Sequence, residues 1–127
     1  MKWLLSIHWA LIAAVWYFGN GILHDVFVLI NHKGKYDREL LRLLMDGHIL
    51  MVSGAVVFVC WLMMLNKIQC GGVISIIIAL GMLLYCAMIF PFLKSYLTMA
   101  ISIILIIVSI KAINDFPNIY NIMQQYK

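Results

Sequence analysis

The sequence predicts an all-α membrane protein, a four-transmembrane-helix up-down-up-down bundle with short loops. Three observations carry this. Of 127 residues, 65% are hydrophobic and only 11% are charged, and a chain this short has too much surface to hide that much apolar side chain from water. The apolar residues fall into four runs, each near the roughly 17 to 25 residues that cross a bilayer core. The runs lack the alternation of a membrane β-barrel, and an open sheet would leave unpaired backbone in hydrocarbon, so they are read as helices.

The first run covers residues 3–30. It opens like a secretory signal, but it far exceeds the roughly 7–15 residues of a signal's apolar region and is read as an uncleaved transmembrane helix. The polar loop Asn31 to Tyr36 follows, with Asp37 placed to cap the second helix, residues 40–65. A second loop from Asn66 to Gly72 holds Cys70 and leads to the third helix, residues 73–90. Pro91 is expected to stop that helix, and Ser95 to cap the fourth, residues 96–110. The tail, 114–127, mixes Ile119, Tyr120, Ile122, Met123 and Tyr126 with amides and is expected to lie on the membrane surface. Such short links make neighbours antiparallel, and residues 1–127 form a single domain.

The net charge of +4 comes from basic residues beside apolar runs. That pattern points to membrane lipids as partners and not to nucleic acid. The first and third loops carry Lys33, Lys35, Arg38, Arg42 and Lys94, against Lys2, Lys67, Lys111 and Lys127 opposite, which leans by one charge towards a cytoplasmic first loop. Abundant Ile, Lys and Asn with compact loops fits a bacterial cytoplasmic membrane. Cys60, Cys70 and Cys86 have no C-x-x-C spacing, which argues against thiol-redox chemistry.

The chemistry concentrates in His24-Asp25 and Asp46-Gly47-His48. Ionisable groups at membrane depth cost roughly 2.5–3.5 kcal/mol each on insertion scales and by default mark a functional site. Counting from the intervening loop puts His24 about 10 Å and His48 about 15 Å into adjacent helices. Tyr17, Asn20 and His24 share one face of the first helix, and Gly19 and Gly21 thin it for close approach. Arg38, Arg42, Asp46 and Ser53 form a stripe on the second, with Arg42 and Asp46 spaced as an i, i+4 ion pair. His48 lies about 200° around the helix from Asp46, so the two cannot point at one spot.

The expected working residues are His24, Asp46, Arg42, Asp25 and His48, with Tyr17, Asn20 and Ser53 orienting a substrate. Histidine moves protons near neutral pH, and a desolvated carboxyl is a usable acid. The reading is a membrane-embedded acid/base enzyme, of isomerase, cyclase or hydratase type, acting on a lipid-soluble small molecule. No cofactor motif is present. The alternatives are a transporter or channel protomer, a haem or metal protein using His24 and His48, or an accessory subunit whose polar cluster locks the first hairpin. A homo-oligomer fits any of these. No metal-ligand spacing such as H-x-x-H or Glu-x-x-His occurs on either helix.

Elsewhere, Thr98, Ser102 and Ser109 are expected to face the interior, with Ile101, Ile104 and Val108 towards lipid. Gly72, Ser75, Ala79 and Cys86 offer a small-residue side for tight packing. His8 is expected to bond across helices or reach the far interface, and His32 to be solvated. In size and four-helix layout the chain resembles small bacterial membrane proteins such as the DoxX-like group. That resemblance implies a layout and no particular function.

Overall fold

The computed structural model describes the backbone of residues 2–90 and 94–116, and the side chains of 7–90 and 94–116. All four elements are helices: α1 (Lys2–Asn31), α2 (Arg38–Leu65), α3 (Gln69–Ile89) and α4 (Tyr96–Asp115). Each is long and apolar enough to cross a membrane. Their outward faces are apolar, with Leu23, Phe27, Ile30, Val52, Ile77, Leu84, Met88 and Ile107 exposed, a surface that water does not favour and lipid does.

Capping decides the α1–α2 and α2–α3 connections. The Leu40 N–H donates to Asp37 Oδ1 at 2.8 Å, so Asp37 caps α2 as its sequence position predicts. At the other end, Ile68 N–H reaches Met63 O at 3.0 Å and Lys67 N–H reaches Met64 O at 2.9 Å. These paired bonds close α2 in a Schellman turn, with Lys67 (φ 58°) in the left-handed position usually taken by glycine. Gln69 then ties the start of α3 to the end of α4, donating to Phe116 O at 3.1 Å.

Helix α1 packs along α2, α2 along α3, α3 along α4, and α4 returns to α1. The core between them holds Ile7, Tyr17, Leu50, Val57, Met64, Met82 and Leu105, with Ala10, Ala13, Ala14, Ala79 and Ala112 letting backbones approach. Between α1 and α2 the approach is tightest: a Cβ on Gly21 would stand 2.5 Å from Gly47 O, and one on Gly54 would stand 2.6 Å from Phe18 N. Small residues at such crossings are how helices pack where lipid removes the hydrophobic drive.

Some expectations need correction. Helix α3 begins at Gln69 and not at 73, so Cys70 is an exposed residue of its first turn and not of a loop. Gly71 and Gly72 are helical contact residues; Cβ atoms there would meet Cys60 O and Ile113 Cγ1, each at 2.7 Å. Helix α4 runs on to Asp115, taking in the first two residues of the expected tail. Ser95 stands at the α4 N-cap without a side-chain capping bond. Val108 is buried and Ile101 and Ile104 are half-buried, because α3 and α1 together cover more than one face of α4. His32 folds over Gly34 with its Nε2 at 3.7 Å from Asp37 Oδ2, its side chain only 16% exposed. Pro91 and residues 117–127 lie outside the described residues.

Candidate functional site

A cavity of about 380 Å³ opens between all four helices at the end bearing the α1–α2 loop. Asn20 and His24 enter it from α1, Asp46 from α2, Tyr85 and Cys86 from α3, and Thr98 from α4, beside Ser95. Leu43, Leu50 and Ile89 supply the apolar walls. Three-residue and four-residue steps on α1 put Asn20 and His24 on one face, as the sequence predicts. Tyr85 and the Asp46 carboxylate line the same cavity from α3 and α2.

Behind His24 stands Asp25, buried to 8% exposure between α1 and α2. Its two oxygens face two histidines. His24 Nδ1 is 3.6 Å from Oδ1, and His48 Nδ1 is 3.0 Å from Oδ2. The same His48 nitrogen lies 2.8 Å from Leu44 O. A carbonyl and a carboxylate only accept hydrogen bonds, so these partners assign the proton to Nδ1 of His48. His24 Nδ1 and Asp25 Oδ1 are both buried without a hydrogen-bond partner. Gly47 makes this possible, since any Cβ at that position would overlap Asp25 Oδ1.

The structure therefore separates the predicted residues. His24, Asp46 and Asn20 share the cavity. Arg42 does not join them: it lines a separate open groove of about 730 Å³ with Arg38 and Glu39, where Leu43 and Asp46 form the shared boundary with the cavity. No Arg42–Asp46 ion pair within 4 Å occurs among the described residues; Asp46 lines the cavity with Tyr85. His48 and Ser53 line a third, shallow depression with Met45, Ile49 and Val52. The angular conflict between Asp46 and His48 is thus real, and Ser53 belongs with His48 rather than with the cavity.

Tyr17 is likewise not a cavity residue. It is fully buried, its hydroxyl 2.6 Å from Ser102 Oγ. Ser102 in turn donates to Thr98 O at 2.7 Å, so the Tyr17 O–H is the donor to Ser102. Trp16 Nε1–H donates to Thr98 Oγ1 at 3.2 Å, and these bonds clasp α1 to α4. His8 sits edge-on to Trp61, ring centroids 6.2 Å apart.

Sequence reasoning misses Tyr85 altogether and gives Cys86 and Thr98 packing roles alone. The available signal is Tyr85 itself, the one tyrosine within the third apolar run. Among the described residues no group of three or more His, Cys, Asp or Glu is arranged to hold a metal ion. The site as built consists of a histidine backed by a carboxylate, a second carboxylate facing a tyrosine, and amide and hydroxyl groups beside apolar walls. Compared with protein-family models, curated proteins and solved structures, the chain matches none.

Proposed function

We propose that this chain is a multi-pass membrane protein with up-down-up-down topology whose four-helix cavity takes a small lipid-soluble molecule and moves protons on it. The observation that carries this reading is the convergence of Asn20, His24, Asp46 and Tyr85 from three helices on one cavity of about 380 Å³. That volume lies within the range of small-molecule sites, where apolar walls bind and a few polar groups orient.

His24 is the proposed acid/base group, giving a ring proton to the bound molecule and taking one back. Asp25 stands 3.6 Å from its Nδ1, where a carboxylate stabilises the imidazolium cation. Asp46 and Tyr85 are the proposed acid pair, with Asn20 and Thr98 orienting the polar end of the bound molecule. Isomerisation, cyclisation and hydration all need only such proton transfers.

Hydrogen exchange tests this whatever the bound molecule is. The purified full chain is held in D2O, its bound small molecules are extracted, and their masses are read. Proton transfer to and from carbon predicts deuterium uptake in wild type and loss of uptake in His24→Ala and Asp46→Asn, with helicity preserved. A retained molecule that gains no carbon-bound deuterium in wild type contradicts the proposal.

A further inference from the structure

Asp25 and His48 lie outside the cavity, and the acid/base reading uses Asp25 only as a support. Two features remain unaccounted for. One is a pair of buried, unpartnered atoms facing each other, His24 Nδ1 and Asp25 Oδ1, 3.6 Å apart. Such orphaned groups are rare in folded proteins, and each calls for a reason. The other is His48, whose side chain is 64% exposed on the outer face of α2 while its Nδ1 reaches inward to the buried carboxylate.

We infer that His48, Asp25 and His24 form a proton relay joining the outer face of α2 to the cavity. The resting state has His48 protonated on Nδ1, Asp25 ionised and His24 with a free Nδ1. A proton from water at the membrane interface adds to His48 Nε2, and the Nδ1 proton passes to Asp25 Oδ2 across 3.0 Å. A half-turn of the carboxyl group about Cβ–Cγ brings that proton to His24 Nδ1. His24 then releases the proton on its other ring nitrogen, Nε2, to the molecule in the cavity. Each group gains one proton and loses one, and one proton has moved inward; both imidazoles are left in the opposite tautomer, so each ring must turn over before the next transfer.

The gap between the two orphaned atoms is the link that opens and closes. Without a proton between them, two lone pairs face each other at 3.6 Å; with one, the two groups must close to hydrogen-bonding distance to form an O–H···N bond. Gly47 matters here too, because only a residue without a Cβ leaves Asp25 room beside α2. The other titratable groups facing His24 are Asp46 from α2 and Tyr85 and Cys86 from α3; α4 presents Ser95 and Thr98. Among the described residues, Asp25 is the carboxylate that lies within 4 Å of both histidines.

The last step, delivery to a bound molecule, rests on the acid/base reading; the relay itself does not. The test uses the full chain, labelled with nitrogen-15 histidine, in nanodiscs of phosphatidylcholine and phosphatidylglycerol. Its four histidines are assigned through single His→Gln variants. The expected spectrum has resting His48 in the Nδ1–H form, and a His24 Nδ1 signal that is displaced in His48→Gln and in Asp25→Asn. An unmoved His24 Nδ1 signal in His48→Gln overturns the relay, as does finding resting His48 in the Nε2–H form. If Asp25→Asn does not fold, the exposed His48→Gln variant carries the test alone.

Deuterium uptake supplies the second arm. His48→Gln is expected to retain as much bound molecule as wild type while exchanging at least about tenfold more slowly. An unchanged rate overturns delivery through His48. A His24 Nδ1 signal that responds to His48→Gln, with no uptake in wild type, sinks the acid/base reading and leaves the relay standing.

Discussion

Gly47 lies directly against Asp25, so close that a Cβ at position 47 would overlap the carboxylate oxygen Oδ1 and stand 2.9 Å from Gly21 O. This one contact sets both the crossing of α1 and α2 and the placement of the carboxylate between two histidines. It links packing to chemistry.

Gly47→Ala is therefore expected to destabilise the protein by about 1–3 kcal/mol, the usual cost of overpacking, read by helicity loss in a denaturant series in detergent. Gly19→Ala is the control. Nothing lies within 4 Å of a Cβ there, and alanine is the better helix former by about 0.5–1 kcal/mol. The two substitutions are expected to have opposite signs; equal losses would show that the α1–α2 approach is looser than described.

The Tyr17–Ser102 bond gives a second prediction. Ser102→Ala leaves a fully buried Tyr17 hydroxyl without its 2.6 Å acceptor, at a cost of about 1–3 kcal/mol. Adding Tyr17→Phe removes the stranded group and should recover part of the loss. A double-mutant cycle is expected to give an interaction of about 0.6–1.7 kcal/mol, the range for polar contacts between membrane helices.

Asp46 is expected to interact with α3 and not with its own helix. The Tyr85→Phe and Asp46→Asn cycle should show an interaction above about 0.5 kcal/mol, while the Arg42→Gln and Asp46→Asn cycle stays below it. The reverse ranking would restore the ion pair that the sequence spacing predicts.

Thiol labelling addresses the proposed topology. Cys70 is exposed at the start of α3, whereas Cys60 and Cys86 are buried. A membrane-impermeant maleimide is expected to reach Cys70 from one side of sealed vesicles. Lys35→Cys, placed in the α1–α2 loop of a chain lacking Cys70, should react only from the other side.

How much of this is legible in the sequence follows from what periodicity can and cannot see. The four apolar helices, the Asp37 cap and the buried Thr98, Ser102 and Ser109 are readable because each depends on local spacing along one helix. The nearness of His24 and His48 is readable too, by counting from the loop, and Asp25 lies between them. The start of α3 is not, because Gly71 and Gly72 look like turn residues in one dimension, whereas they mark close contact with Cys60 and Ile113. Partner choice is the least legible. An i, i+4 Arg–Asp spacing is real on any helix, but it cannot reveal that Asp46 lines a cavity with Tyr85, on another helix.

The acid/base reading depends on the four-helix cavity holding a small lipid-soluble molecule through Asp46 and His24. Native mass spectrometry of the full chain, released gently from detergent, reads that occupancy itself. The expected spectrum shows a discrete small-molecule adduct on the 14.6 kDa chain, retained in Gly19→Ala and lost in Asp46→Asn and His24→Ala. A bare chain in wild type, or an adduct equally abundant in all four proteins, would contradict it.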